Sequence, residues 1–161
     1  MKKRILFFIN LVLVMLVTGV FWGTWFTLTR SIDGFPADNF IRIGKTIISN
    51  VAMPMRILMP ATLFTLLWLC LISVKLRPSF YFFVGAFTLM LLTLMITVLV
   101  EVPIDNQIKT WTANTVPGNW TELRARWDTF HTFRTFTSIL SFVSLSVGIL
   151  TGIKEVVIVR R

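Results

Sequence analysis

FYFFVGAFTLMLLTLMITVLV, Phe80 to Val100, runs for twenty-one residues without a single charge. Its apolar residues neither alternate nor keep to one helical face, so no polar side is left to meet water. About 20 such residues in a helix cross the hydrocarbon core of a bilayer. Water is absent there, so every backbone N–H and C=O must be satisfied within the segment, and the stretch reads as a transmembrane helix. Three other runs share the pattern. The four spans are placed at about 5–29, 54–74, 80–102 and 131–153. Only KLRPS, Lys75 to Ser79, separates the second from the third, so those two helices are antiparallel neighbours.

Composition agrees. The chain has 161 residues, 55% of them hydrophobic and 14% charged, where a soluble domain carries roughly a quarter charged residues. The spans leave no length for a separate soluble domain, so residues 1–161 form one unit. A basic start (Lys2, Lys3, Arg4) precedes the first run, as in a secretory signal. The run is too long for one and no small-x-small cleavage site follows, so it reads as a retained span. The one cysteine, Cys70, lies inside an apolar run and reads as a small buried hydrophobe.

Lysine and arginine in short loops set orientation. With the N-terminus inside, Lys2, Lys3, Arg4, Lys75, Arg77, Lys154, Arg160 and Arg161 face the cytoplasm against one acid, Glu155. On the other side eight basic residues are interleaved with six acids. The expected setting is the plasma (inner) membrane, multi-pass, with both termini cytoplasmic. The net charge of +9 is thus a topology signal. No basic stripe lies away from the membrane flanks, which argues against nucleic acid as a partner.

The cytoplasmic side is minimal, and the two outer segments, 30–53 and 103–130, hold the remaining information. In the first, Asp38 or Asn39 can cap a short helix to about Asn50. Phe40, Ile41, Ile43, Ile47 and Ile48 form an apolar stripe on it, suited to the membrane surface or to the mouth of the bundle. Pro54 and Pro60 then bracket the start of the second span. In the second segment Pro103 ends or kinks the third span, and Pro117-Gly118 make a turn. A helix with Thr121 as N-cap runs on toward the fourth span, with Glu122 in its first turn, where the helix dipole favours an acid. On that helix Trp127, His131 and Arg134 sit at i, i+4 and i+7 and share a face, continued inward by Thr135 and Ser138. Glu101 and Asp105, also four apart, lie near the same depth, followed by Asn106.

Each of these residues has a plain reading beside a chemical one. Trp22, Trp25, Trp111, Trp120 and Trp127 are where an interfacial aromatic belt sits. Arg56 and Arg134 lie at or inside span ends, where a charge is costly and is paired, with Glu101 and Asp105 the available partners. His131, the only histidine, is either a satisfied polar residue at a helix contact or an acid/base group that titrates near neutrality. One histidine, one distant cysteine and a few carboxylates do not match metal-ligand spacing. There is no Gly-rich phosphate loop, nucleophile elbow or CxxC pair. Neither metal nor cofactor is therefore expected.

VEVPIDNQIKTWT, followed by NWTELRARWDTFHTFRTF leading into a last apolar helix, resembles a family of small four-helix membrane proteins. The characterised members of that family are anthrone oxygenases of polyketide pathways. The matching positions are Pro103, Asn106, Trp120, Arg126, Trp127, His131 and Arg134. The resemblance implies oxygenation of a flat tricyclic substrate: a base removes an acidic methylene proton, and the anion reacts with dioxygen to give a quinone. It implies His131 as the base, Arg134 or Arg126 stabilising the oxyanion, and Asn106 holding a carbonyl. Trp127 and Trp120 would stack on the rings, with Glu101 and Asp105 in the same site.

The expected fold is all-α integral membrane: an antiparallel four-helix transmembrane bundle with a structured extracytoplasmic cap. Two function classes stay open. One is an oxidoreductase of the anthrone oxygenase-like type acting on a flat aromatic or quinone-like lipophile. The other is a non-enzymatic four-span protein that binds lipid, a partner subunit or a second copy of itself through its outer loops.

Overall fold

The computed structural model describes residues 2–75 and 77–158. The charges counted at Arg160 and Arg161 lie outside the described residues, as do Leu76 in the tight turn and the side chains of Lys2, Arg77, Lys154 and Glu155. Five α-helices follow in order: α1 (Lys2–Thr27), α2 (Ala37–Ile72), α3 (Arg77–Ile96), α4 (Val102–Thr110) and α5 (Trp120–Ile158). A 3₁₀ segment, Thr29–Gly34, links α1 to α2, and a π turn, Thr97–Glu101, links α3 to α4. Among the described residues there is no strand, and four helical segments are long and apolar enough to cross a membrane.

The helices form an antiparallel ring in which α1 packs on α2, α2 on α3, α3 on α5 and α5 on α1. Large apolar side chains such as Phe8, Phe64, Tyr81, Leu99 and Leu150 are more than 60% exposed on the outside. In water that surface would be intolerable; against lipid it is the expected exterior.

Small and hydroxyl-bearing residues hold the α3–α5 seam. Ser141 Oγ donates to the Ala86 carbonyl and Ser144 Oγ to the Phe82 carbonyl, both at 2.7 Å, and the Thr93 and Thr137 hydroxyls meet at 2.9 Å. A Cβ on Gly148 would stand 2.7 Å from the Phe83 ring, so glycine is what lets the two backbones approach. In lipid there is no hydrophobic drive between helices, and such close packing and hydrogen bonding supply the association.

Three expectations are corrected. The short helix over 38–50 is not separate from the second span: α2 runs unbroken from Ala37 to Ile72 through Pro54 and Pro60. Each proline removes one i→i−4 hydrogen bond, yet interior prolines are tolerated in spans because neighbouring helices support the freed groups. Its N-cap is Pro36, whose carbonyl accepts from Phe40 N–H at 3.1 Å, instead of Asp38 or Asn39. Helix α5 begins at Trp120, one residue before the expected cap Thr121; the Asn119 carbonyl takes the first bonds, from Glu122 and Leu123. As expected, α5 then continues as one 39-residue helix into the last span.

At the end opposite the Lys75 turn, a second apolar cluster builds a cap from Ile32, Phe40, Ile41, Ile48, Ile104, Ile108, Trp111 and Trp127. Arg124 ties the α1–α2 connection to this cap, donating to the Phe35 carbonyl at 3.0 Å and pairing with Asp33 at 3.5 Å.

Candidate functional site

Helix periodicity places Trp127, His131 and Arg134 on one face of α5, and all three are buried. The Trp127 and His131 rings stack, centroids 4.8 Å apart and planes 6° apart. Phe21 of α1 meets the imidazole edge-on at 6.4 Å, and the Arg134 guanidinium lies over the same Phe21 ring at 4.7 Å. Trp127 Nε1 donates to Asp105 Oδ1 at 3.2 Å. Thr135 Oγ1 donates to the His131 carbonyl at 2.7 Å.

Arg134 joins the two halves of the cluster. Its Nη2 lies 2.8 Å from Glu101 Oε2, and its Nε and Nη2 lie 3.1 and 2.7 Å from His131 Nδ1. Glu101 is fully buried and Arg134 is 8% exposed, so the ion pair is an interior one. Neither Glu101 oxygen has a well-angled hydrogen bond, so the contact with Arg134 is chiefly electrostatic. A guanidinium only donates, so Nδ1 must accept, and a neutral imidazole then carries its proton on Nε2. That Nε2 is buried with no well-formed hydrogen bond, and the imidazole interacts with the backbone of Phe21.

The cluster forms one wall of a cavity of about 310 Å³ between all four spans. Phe21 and Val20 of α1 contribute, as do Ile43, Ile47, Val51 and Met55 of α2, and Leu94 and Val98 of the third span. Apolar walls with a few convergent polar groups are the usual form of a small-molecule site, and this volume lies at the low end of their range.

The expected site residues separate into two groups. His131, Arg134, Trp127, Asp105 and Asn106 line the cavity. Asn106 is otherwise exposed, its side-chain oxygen accepting from Lys109 Nζ at 3.1 Å. Glu101 sits behind the wall, reaching the cavity only through Arg134. Trp120 and Arg126 do not line it. Trp120 is on the same face of α5 but two turns beyond the mouth, packed on Phe40 and beneath Arg124. Arg126 is one residue, or about 100°, off the Trp127 face and lies over Phe130 instead. Arg56 is exposed and makes no ion pair with a carboxylate among the described residues, unlike Arg134. Trp111 and Trp127 are buried, not members of an exposed belt, whereas Trp22 is 41% exposed and stacks on Trp25 at 5.2 Å.

Sequence reasoning missed Phe21 and the deeper α2 wall of Val51 and Met55. Of the two places the α2 stripe suited, membrane surface or bundle mouth, Ile43 and Ile47 take the second and line the cavity. Among the described residues no three His, Cys, Asp or Glu side chains converge as metal ligands would.

The fold and the cavity define a four-span membrane protein with a lipophilic chamber closed by a buried Trp–His–Arg–Glu cluster. The chain belongs to the anthrone oxygenase family, whose model matches residues 47–144, from the middle of α2 into α5, more than half of the sequence. No curated protein and no solved structure matches it.

Proposed function

We propose that this protein is a membrane oxidoreductase that oxygenates a flat aromatic or quinone-like lipophile in the chamber between its spans. The observation that carries this reading is the convergence of His131, Arg134 and Asp105 in a mostly apolar cavity, whose lining also includes Arg56, Asn106 and Lys109. In the corresponding reaction an anthrone methylene loses a proton, the ring carbonyl becomes an oxyanion, and the carbanion combines with dioxygen. Loss of water leaves a quinone carbonyl where the methylene was. The substrate anion supplies the electrons; one oxygen atom enters the product and the other leaves in water.

The hydrogen-bonding pattern favours a division of labour different from a single histidine base. With Nδ1 held by Arg134, His131 offers its Nε2–H to the substrate carbonyl, where negative charge develops. A fixed donor at a developing oxyanion contributes about 10²–10³ in rate. Arg134 acts through His131 as a positioning residue and spreads positive potential over the same point. Asp105 accepts from Trp127 through Oδ1, leaving Oδ2 to take the methylene proton. The exposed Asn106 at the cavity edge suits contact with a polar substituent. In the membrane we place both termini in the cytoplasm and the cap, with the cavity beneath it, on the outer side of the plasma membrane.

The test is oxygen consumption and quinone formation by the reconstituted protein with a simple anthrone under ¹⁸O₂. Catalysis above spontaneous anthrone oxidation, with one ¹⁸O in the quinone, is expected. A rate indistinguishable from the uncatalysed one across several anthrones and hydroquinones would return the chain to the non-enzymatic, lipid- or partner-binding reading.

A further inference from the structure

On α2, Lys45, Ser49, Ala52 and Arg56 follow at spacings of four, three and four and share one face. Together with Met53 and with Lys109 of α4 they line a shallow groove of about 360 Å³ on the outside of the bundle. None of the three cations pairs with a carboxylate among the described residues; the ion pairs there belong to Arg124 and Arg134. Lys45 Nζ donates to the Trp111 carbonyl at 2.7 Å and Lys109 Nζ to Asn106, contacts that fix the ammonium groups without neutralising them. Arg56 is held by neither kind of contact.

The depth of the groove is informative. Helix α2 rises about 24 Å between Arg56 and Ile72, and the turn holding Lys75 follows. The two cations therefore bracket an apolar slab close to the ~30 Å hydrocarbon core. That puts Arg56 at the boundary where lipid phosphates lie, with Lys45 and Lys109 on the headgroup side. Below it, Ile57, Phe64 and Leu67 are 62%, 69% and 43% exposed and offer an apolar track for acyl chains. We infer that this groove binds the headgroup of an anionic phospholipid, its phosphate between Arg56 and Lys109 and its chains along α2. Arg56 and Lys109 also line the cavity, so the groove adjoins it; the test below reads lipid binding and not turnover.

The purified protein in mild detergent is titrated with phosphatidylglycerol and, separately, with phosphatidylcholine of the same chains, and bound lipid is counted by native mass spectrometry. Phosphatidylglycerol should bind at least fivefold more tightly. Lys45→Gln, Arg56→Gln and Lys109→Gln should each weaken it about fivefold, in line with the usual contribution of a cation near an anionic surface. Arg56→Lys should retain the preference, which separates charge from folding. Arg30→Gln, a cation elsewhere in the cap, should leave it unchanged. Equal binding of the two lipids, survival of the preference in the triple variant, or an equal loss in Arg30→Gln would overturn the assignment.

Discussion

Trp127 and His131, one helical turn apart on α5, hold their rings face to face at 4.8 Å while their outward polar atoms serve different partners. The indole N–H goes to Asp105 and the imidazole Nδ1 to Arg134. The stack thus orients the His131 ring and couples it to the Asp105 carboxylate without a direct bond between them.

Removal of the imidazole tests the donor role. His131→Ala should lower kcat by about 10²–10³ while leaving size-exclusion elution and helical content as in the wild type. Turnover within a factor of three of wild type would exclude His131 from the chemistry.

The two functions of Trp127 are separable. Trp127→Phe keeps a ring against His131 but loses the bond to Asp105. We expect a kcat lowered several-fold with KM nearly unchanged, since one neutral hydrogen bond contributes about 1 kcal/mol. Trp127→Ala should lower kcat much further by freeing His131 as well. Steady-state kinetics of the two variants side by side make the comparison, and equal rates would argue against the Asp105 link.

Arg134 and Glu101 should behave as a coupled interior pair. Removing one partner strands a buried charge, at about 3–5 kcal/mol. Arg134→Met should therefore unfold at markedly lower denaturant, and Arg134→Met with Glu101→Gln should recover much of the loss. A double-mutant cycle from reversible unfolding in mixed micelles measures the coupling. Additive losses would mean that the 2.8 Å contact carries little energy.

The α3–α5 seam gives a test independent of the site. Gly148→Val forces a side chain against Phe83 and should cost about 1–3 kcal/mol by overpacking. Gly19→Ala, where an added Cβ meets nothing within 4 Å, should be neutral. The same unfolding assay reads both, and equal stability of the two variants would mean that the seam is looser than described.

Much of this arrangement was readable beforehand. Four long apolar runs give four spans, and i, i+4, i+7 spacing puts Trp127, His131 and Arg134 together, because a helix of fixed pitch leaves no alternative. The pairing of Arg134 with an acid of the third span followed from the cost of a lone charge at that depth. What stayed hidden depends on departures from ideal helix or on distant packing. Rules learned in water break α2 at Pro54, whereas a span absorbs the proline. Arg126 neighbours Trp127 in sequence yet points about 100° away. Phe21 resembles every other apolar residue of α1 until α5 is laid against it.

The π turn has a consequence for how the chain can vary. Buried positions along the third span run Phe83, Ala86, Met90 and Thr93 in steps of three and four, and resume as Glu101, Ile104, Ile108 and Trp111. Carried forward at the same steps, the rhythm would reach Val100; the wide turn at 97–101 delays it by one residue and presents Glu101 to Arg134 instead. The third span thus contains a phase shift of one amino acid. Deleting any one of residues 97–100 would leave a hydrophobic span of adequate length that still inserts. It would also make the turn regular α-helix, bring Glu101 to the position the rhythm already reaches, and keep the acid on Arg134 with α4 in phase. Straightening the turn at constant length would instead present Val100 to Arg134, so the stretch tolerates the loss of a residue better than the loss of its width.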